Sequence, residues 1–177
     1  MEGTGMDGRP VRESLSEISE MALPIYANPL GNLLGGRIMH LMDLVAATAA
    51  MRHARSAVVT ASADYVSFLH PIHIGQLVIL RAAVNRVFRT SMEVGVKVWV
   101  EDLRTGEVNH TNSSYLTFVA LDDEGTPRAV PAALPESVEE RRRWEQAGAR
   151  RKMRLELRQK AIGHDAAGKN QSPSASL

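Results

Sequence analysis

Along residues 91–102 the side chains alternate, with Met92, Val94, Val96, Val98 and Val100 on one face and Glu93, Gly95, Lys97, Trp99 and Glu101 on the other. A period of two belongs to a strand with one apolar face. From Ala57 onward Val, Ile, Thr, Tyr and Phe occur in segments separated by turn residues, which predicts strands over Ala57–Ala63, Leu77–Phe88, Ser91–Asp102 and Glu107–Leu121. Arg104-Thr105-Gly106 and Asp122-Asp123-Glu124-Gly125 supply hairpin turns. The second is acidic, but it lacks the alternating oxygen ligands and terminal Glu of a calcium loop.

Upstream the texture differs. Residues 37–51 are rich in Ala, Leu and Met and poor in β-branching, so they read as a helix hydrophobic nearly all round, and therefore buried. Residues 14–21 mix polar and apolar positions and are expected to form an edge strand that ends at Pro24. Asn, Pro and Gly in 27–32 mark a turn, and Gly35-Gly36 directly precedes the helix. One buried helix followed by antiparallel strands predicts an α+β architecture in which the sheet wraps the helix.

Pro131 and Pro135 close the sheet region, and Glu136-Ser137 opens a charged helix to about Lys160. That segment holds nine Lys or Arg against five Glu, so it is basic by four. A solvated helix with internal salt bridges is the simpler reading, and an anion-binding role is the alternative. The expected division is a disordered N-terminus over 1–13, a domain over 14–135, the basic helix over 136–160 and a disordered tail over 161–177. No internal repeat is visible.

Composition removes several function classes. With 177 residues and a formal charge of +1, the chain has room for one core and no global field to attract nucleic acid. No Cys is present, which excludes disulfides, a thiolate nucleophile and thiolate metal ligands. The polar, Gly-rich start does not resemble a signal peptide, so a cytoplasmic location is expected. Residues 30–51 approach the length of a membrane span, but Arg37, His40 and Asp43 near the middle would each cost about 3 kcal/mol there. No membrane association is expected.

Two features of the helix carry chemistry. Asp43 lies within Leu41-Met42-Asp43-Leu44-Val45, where a carboxylate requires donors, a partner charge or a pocket. It either tethers a neighbouring loop or serves as a functional acid. Gly35-Gly36 lets a ligand approach the backbone, and the first-turn N–H groups can stabilise an oxyanion; a tight loop needing positive φ is the alternative. Gly36 and Asp43 are seven residues apart, about two turns, and would bracket a site about 10 Å long.

The stretch from Asn28-Pro29-Leu30-Gly31-Asn32 through Leu33-Leu34-Gly35-Gly36-Arg37-Ile38-Met39-His40-Leu41-Met42-Asp43 resembles the signature of the cytosolic acyl-CoA hydrolases, both bacterial short- and medium-chain enzymes and the brain-type enzyme. The likeness continues in order through His53-Ala54, Val59-Thr60-Ala61-Ser62, Phe68-Leu69-His70-Pro71, Arg89-Thr90-Ser91-Met92-Glu93-Val94 and Tyr115-Leu116-Thr117-Phe118-Val119-Ala120-Leu121. It spans about residues 14–140.

The resemblance implies a hotdog fold whose protomers join their sheets in a dimer or a trimer of dimers. It also implies hydrolysis of acyl-CoA without a cofactor or metal. The implied catalytic pair is Asn28 and Asp43, with the Gly36 N–H at the oxyanion. Asp43 would act as general base on a water or, as the alternative, attack the thioester itself. For coenzyme A the implied contacts are Gly35, the turn Arg89-Thr90-Ser91, and Ser62 and Arg86 as weaker candidates; for Arg86 alone an exposed arginine at a strand end is the better reading. Leu34 stands where an aromatic residue or His is usual, and His40-Leu41 falls where relatives vary, which leaves acyl-chain preference open.

Two other functions fit the same fold. His53, His70 and His73 could suggest a metal site or a dehydratase, but such dehydratases carry a Glu on the central helix where this chain has Asp43. A non-catalytic acyl-CoA sensor would need neither Asn28 nor Asp43.

Overall fold

The structure is a computed structural model that describes residues 7–66 and 70–168, with side chains to residue 159. The short strand β1 (Arg9–Pro10) and a 3-10 turn (Val11–Ser14) lead into β2 (Ser16–Met21). A second 3-10 turn (Pro24–Tyr26) and a loop precede α1 (Gly35–Ala54). Then come β3 (Ala57–Ala63), β4 (Leu77–Phe88), β5 (Ser91–Asp102), β6 (Glu107–Leu121), β7 (Ala133–Leu134) and α2 (Val138–Gly168). The main sheet runs β2-β4-β5-β6-β3 with every neighbouring pair antiparallel, and β1 pairs in parallel with β7.

The four long strands begin and end where the alternating pattern and its turns place them. Gly106 and Gly125, at φ 73° and 79°, take the left-handed backbone that those turns require. On the inner face Val94, Val96, Val98, Leu80, Val84 and Phe118 are buried against Leu41, Met42, Val45, Ala46 and Ala49 of α1. Alanines at 46, 49 and 50 let the sheet approach the helix closely.

The helix is not covered all round. Met39, His40, Leu44 and Met51 are exposed, because β3 is an edge strand and leaves one side of α1 open. Apolar content reported a surface there as though it were core.

At the N-terminus, residues expected to be disordered up to 13 instead form β1 and the first 3-10 turn. Val11 enters the core, Arg9 Nη1 donates to the His53 carbonyl at 2.7 Å, and Ser14 Oγ accepts from the Val84 N–H at 3.0 Å. The edge strand accordingly begins at Ser16.

α2 opens with a capping box, in which Glu140 N–H donates to Ser137 Oγ and the Ser137 N–H donates to Glu140 Oε2. It lies on the outer face of the sheet. Glu93, fully buried there, accepts from Arg150 at 2.6 Å, Arg154 at 2.9 Å and Asn85 at 3.1 Å. Arg154 also binds Asp64 at 2.6 Å, just beyond β3. The helix continues past Lys160 to Gly168, and the rest of the expected tail lies outside the described residues.

Candidate active site

Asn28 organises the loop before α1. Its Oδ1 accepts from the N–H groups of Leu30 at 2.9 Å and Asn32 at 3.1 Å, and its own N–H donates to the Asn32 carbonyl at 2.7 Å. Gly31, at φ 76°, supplies the left-handed residue that closes this turn; the neighbouring Gly35 and Gly36 are helical. The side-chain Nδ2 of Asn28 has no partner among the described residues. Leu33 N–H to the Ile72 carbonyl and Leu34 N–H to the Tyr26 carbonyl hold the loop from both sides.

No side chain caps α1 at its N-terminus. The Gly35 and Gly36 N–H groups precede the helical ladder, and a Cβ added at Gly36 would meet nothing within 4 Å. The positive end of the helix dipole lies at the cleft that Gly35 lines. Asn28 and Gly35 line one cleft with Ile38, His70, Pro71 and Ile72. Phe68 and Leu69, which precede His70, lie outside the described residues.

Asp43 is half-buried and does not line that cleft. It sits eight residues beyond Gly35, about 12 Å along the helix axis. Its Oδ1 accepts a 2.7 Å hydrogen bond from Thr60 Oγ1 of β3, which fixes the carboxylate against the edge strand. Thr60 was missing from the sequence-derived set; its only signal was a hydroxyl in Val59-Thr60-Ala61-Ser62, with no spacing to connect it to Asp43. Ser62, exposed on the same strand, follows the irregularity between Thr60 and Ser62.

The remaining candidates gather at the β4–β5 turn. Arg89 is exposed at φ 57°, its carbonyl accepts from Val130 N–H at 2.8 Å, and the Thr90 carbonyl accepts from Ala120 N–H at 3.0 Å. Ser91 is buried and receives Arg151 Nη1 of α2 at 3.1 Å. Arg86 is not an exposed strand-end arginine: it is half-buried beneath α2, 3.6 Å from the Trp144 ring centroid. Thus the structure brings Asn28 to Gly35, Asp43 to Thr60, and Arg86, Arg89, Thr90 and Ser91 to one turn, as three separate groups within a single chain. Among the described residues no group of three or more His, Asp or Glu could hold a metal ion, and no helix is long and apolar enough to cross a membrane.

Comparison with known proteins is consistent from family to structure. The model of the Thioesterase superfamily matches residues 30–107. The uncharacterized acyl-CoA thioester hydrolase YkhA of Bacillus subtilis is 43% identical over 129 residues, covering 73% of this chain and 75% of that one. An apo-hexameric acyl-CoA thioesterase superimposes with a TM-score of 0.83 at 41% identity, over 86% of this chain and 97% of the other. The acyl-CoA hydrolase of Staphylococcus aureus, solved with butyryl coenzyme A, coenzyme A and coenzyme A disulfide, gives a TM-score of 0.80 at 37% identity, over 89% of this chain and 98% of that one. That enzyme has also been solved with an Asp, an Asn or a Thr replaced by Ala. On these identities and coverages, the chain belongs to the thioesterase superfamily, among the acyl-CoA hydrolases of the hotdog fold.

Proposed function

We propose that the chain hydrolyses fatty acyl-CoA to free fatty acid and coenzyme A, at sites each completed by two protomers. The observation that carries this reading is Asp43, the one acidic residue of α1, held by Thr60. A carboxylate fixed in that way can take a proton from a water. The water oxygen attacks the thioester carbon, the oxyanion is met by the Gly36 N–H, and the Asn28 amide orients water or carbonyl. Collapse breaks the C–S bond, and the departing thiolate recovers the proton from Asp43. Coenzyme A enters as part of the substrate and leaves as product, so the reaction draws on no cofactor. Such a substrate implies action in the cytoplasm.

A shared site follows from the distribution of groups. Asn28 lines a cleft at the helix start, while Asp43 lies farther along beside an edge strand. Met39, Leu44 and Val59 around it are between 44% and 48% exposed, which leaves an apolar surface beside unpaired strand groups. A twofold mate placed on β3 would cover both and bring its own Asn28 loop to Asp43. Dimers of this kind could further assemble, as in the hexameric relative. The three residue types replaced in the Staphylococcus aureus enzyme are those of Asn28, Asp43 and Thr60.

The test is turnover of an acyl-CoA panel, with thiol release followed optically. Asp43→Asn is expected to lower kcat about a hundredfold with little change in KM, as for a lost general base. Near-normal turnover by that variant would remove Asp43 from the chemistry. Co-refolding Asn28→Ala with Asp43→Ala chains should restore roughly a quarter of wild-type activity, through one intact site in each mixed dimer. Verified mixed dimers that stay inactive would place both residues in one chain.

A further inference from the structure

The Asn28 side chain can meet a ligand through Nδ2, because its Oδ1 is taken by the N–H groups of Leu30 and Asn32. Of these two residues Asn32 holds more of Asn28, since its carbonyl also accepts the Asn28 N–H at 2.7 Å. Leu30, 84% exposed at the tip of the turn, is the weaker reference point. The direction of the Asn28 amide is therefore set chiefly by where Asn32 stands.

Asn32 is tied in turn to a residue 41 positions later. His73 Nδ1 donates to Asn32 Oδ1 at 2.9 Å, and the two residues pair as an isolated antiparallel bridge. The His73 backbone is itself held, for its N–H donates to Gln76 Oε1 at 2.8 Å and its carbonyl accepts from the Gln76 N–H at 3.2 Å. On either side Ile72 is buried in the core, and the Gly75 N–H donates to the Ala22 carbonyl at 2.8 Å, just beyond β2. The imidazole thus carries the position of a core-anchored segment to an exposed turn. His73 is exposed and Asn32 partly so, and a neutral hydrogen bond in such a place adds little to global stability. Its effect falls on the turn, where a small displacement of a reacting group is costly in rate.

We infer that His73 is a positioning residue for the hydrolysis: acting through Asn32, it holds the Asn28 amide in the direction in which Nδ2 meets the water or the thioester carbonyl. The role of Asn28 rests on the acyl-CoA reading, whereas the link from His73 to Asn28 is independent of it.

The experiment compares wild type with His73→Ala, His73→Asn and His110→Ala, by acyl-CoA turnover and by amide hydrogen exchange over residues 27–34, with thermal melts to verify folding. His73→Asn keeps an N–H donor one atom beyond Cγ, where the imidazole carries Nδ1. His110→Ala removes an exposed histidine that bonds Ser113 instead of the turn. His73→Ala is expected to lower kcat about fivefold with little change in KM, the scale on which one neutral hydrogen bond weights two states of a loop. It should also speed exchange at the Leu30 and Asn32 N–H groups. His73→Asn should return both readouts toward wild type, and His110→Ala should alter neither. Added to Asn28→Ala, His73→Ala should lower the residual turnover no further, since nothing is left to position. Unchanged exchange at Leu30 and Asn32, or an equal loss of kcat with and without Asn28, would overturn the inference. Wild type that turns over no acyl-CoA would instead overturn the acyl-CoA reading, and the exchange measurement would still decide whether His73 orders the Asn28 turn.

Discussion

On its inner face the sheet meets α1 through Val94, Val96, Val98 and Phe118, whereas on its outer face it meets α2 through Glu93, Arg150, Arg154 and the Arg86–Trp144 stack. The inner contact is made by area removed from water, summed over many small contributions. The outer contact depends on a few charged groups, each of which needs the others in place. Loss of one methyl group inside is a local matter. Loss of Glu93 outside takes the carboxylate from Arg150 and leaves Arg154 with Asp64 alone.

The largest expected effect is on the inner face. Phe118→Ala, at a fully buried position, should cost about 4 kcal/mol of stability, read from urea unfolding. Next comes the outer face, where Glu93→Gln should cost about 3 kcal/mol by leaving Arg150 and Arg154 incompletely paired. A loss below about 1 kcal/mol, within the range of surface pairs, would mean that Trp144 and Ala147 hold α2 by apolar contact and that the contrast between the faces is false.

The smallest effect belongs to His53, buried where α1 ends, with Nε2 against the Pro131 carbonyl at 2.9 Å. Burial pushes its pKa below the ordinary imidazole value. The unfolded chain therefore takes up a proton near pH 6.5 while the folded chain resists, so stability is full above that pH and declines below it. The slope is at most about 1.4 kcal/mol per pH unit. Urea midpoints at pH 7.5 and 5.5 should diverge in wild type and converge in His53→Gln; equal divergence in both would shift the acid sensitivity elsewhere.

Strand positions were legible because each depends on neighbours in sequence, through alternation and turn residues. Asp43 was legible too, since a lone acid among apolar helical residues is conspicuous without a structure. Its partner Thr60 was not, because a Thr on a strand has no feature that selects a carboxylate 17 residues away. The open side of α1 was misread since exposed Met39 and Leu44 have the same chemistry as buried Met42 and Leu41. Arg86 was misread as exposed for a related reason: its place beneath Trp144, 58 positions later in the chain, depends on how α2 docks. The start of the domain was set too late because Val11 is a single apolar residue, and one residue makes no period.

Gly148 constrains how this sequence could drift. A glycine inside a helix is ordinarily improved by alanine, by about 1 kcal/mol. Here a methyl group at 148 would collide with the Arg86 guanidinium, which is already committed to the Trp144 ring. A side chain at 148 thus requires the Arg86 guanidinium to leave its present place, so 86 and 148 form an epistatic pair. A lineage that shortened the side chain at 86 first could fill 148 afterwards, whereas the reverse order gives up the stack of Arg86 on Trp144.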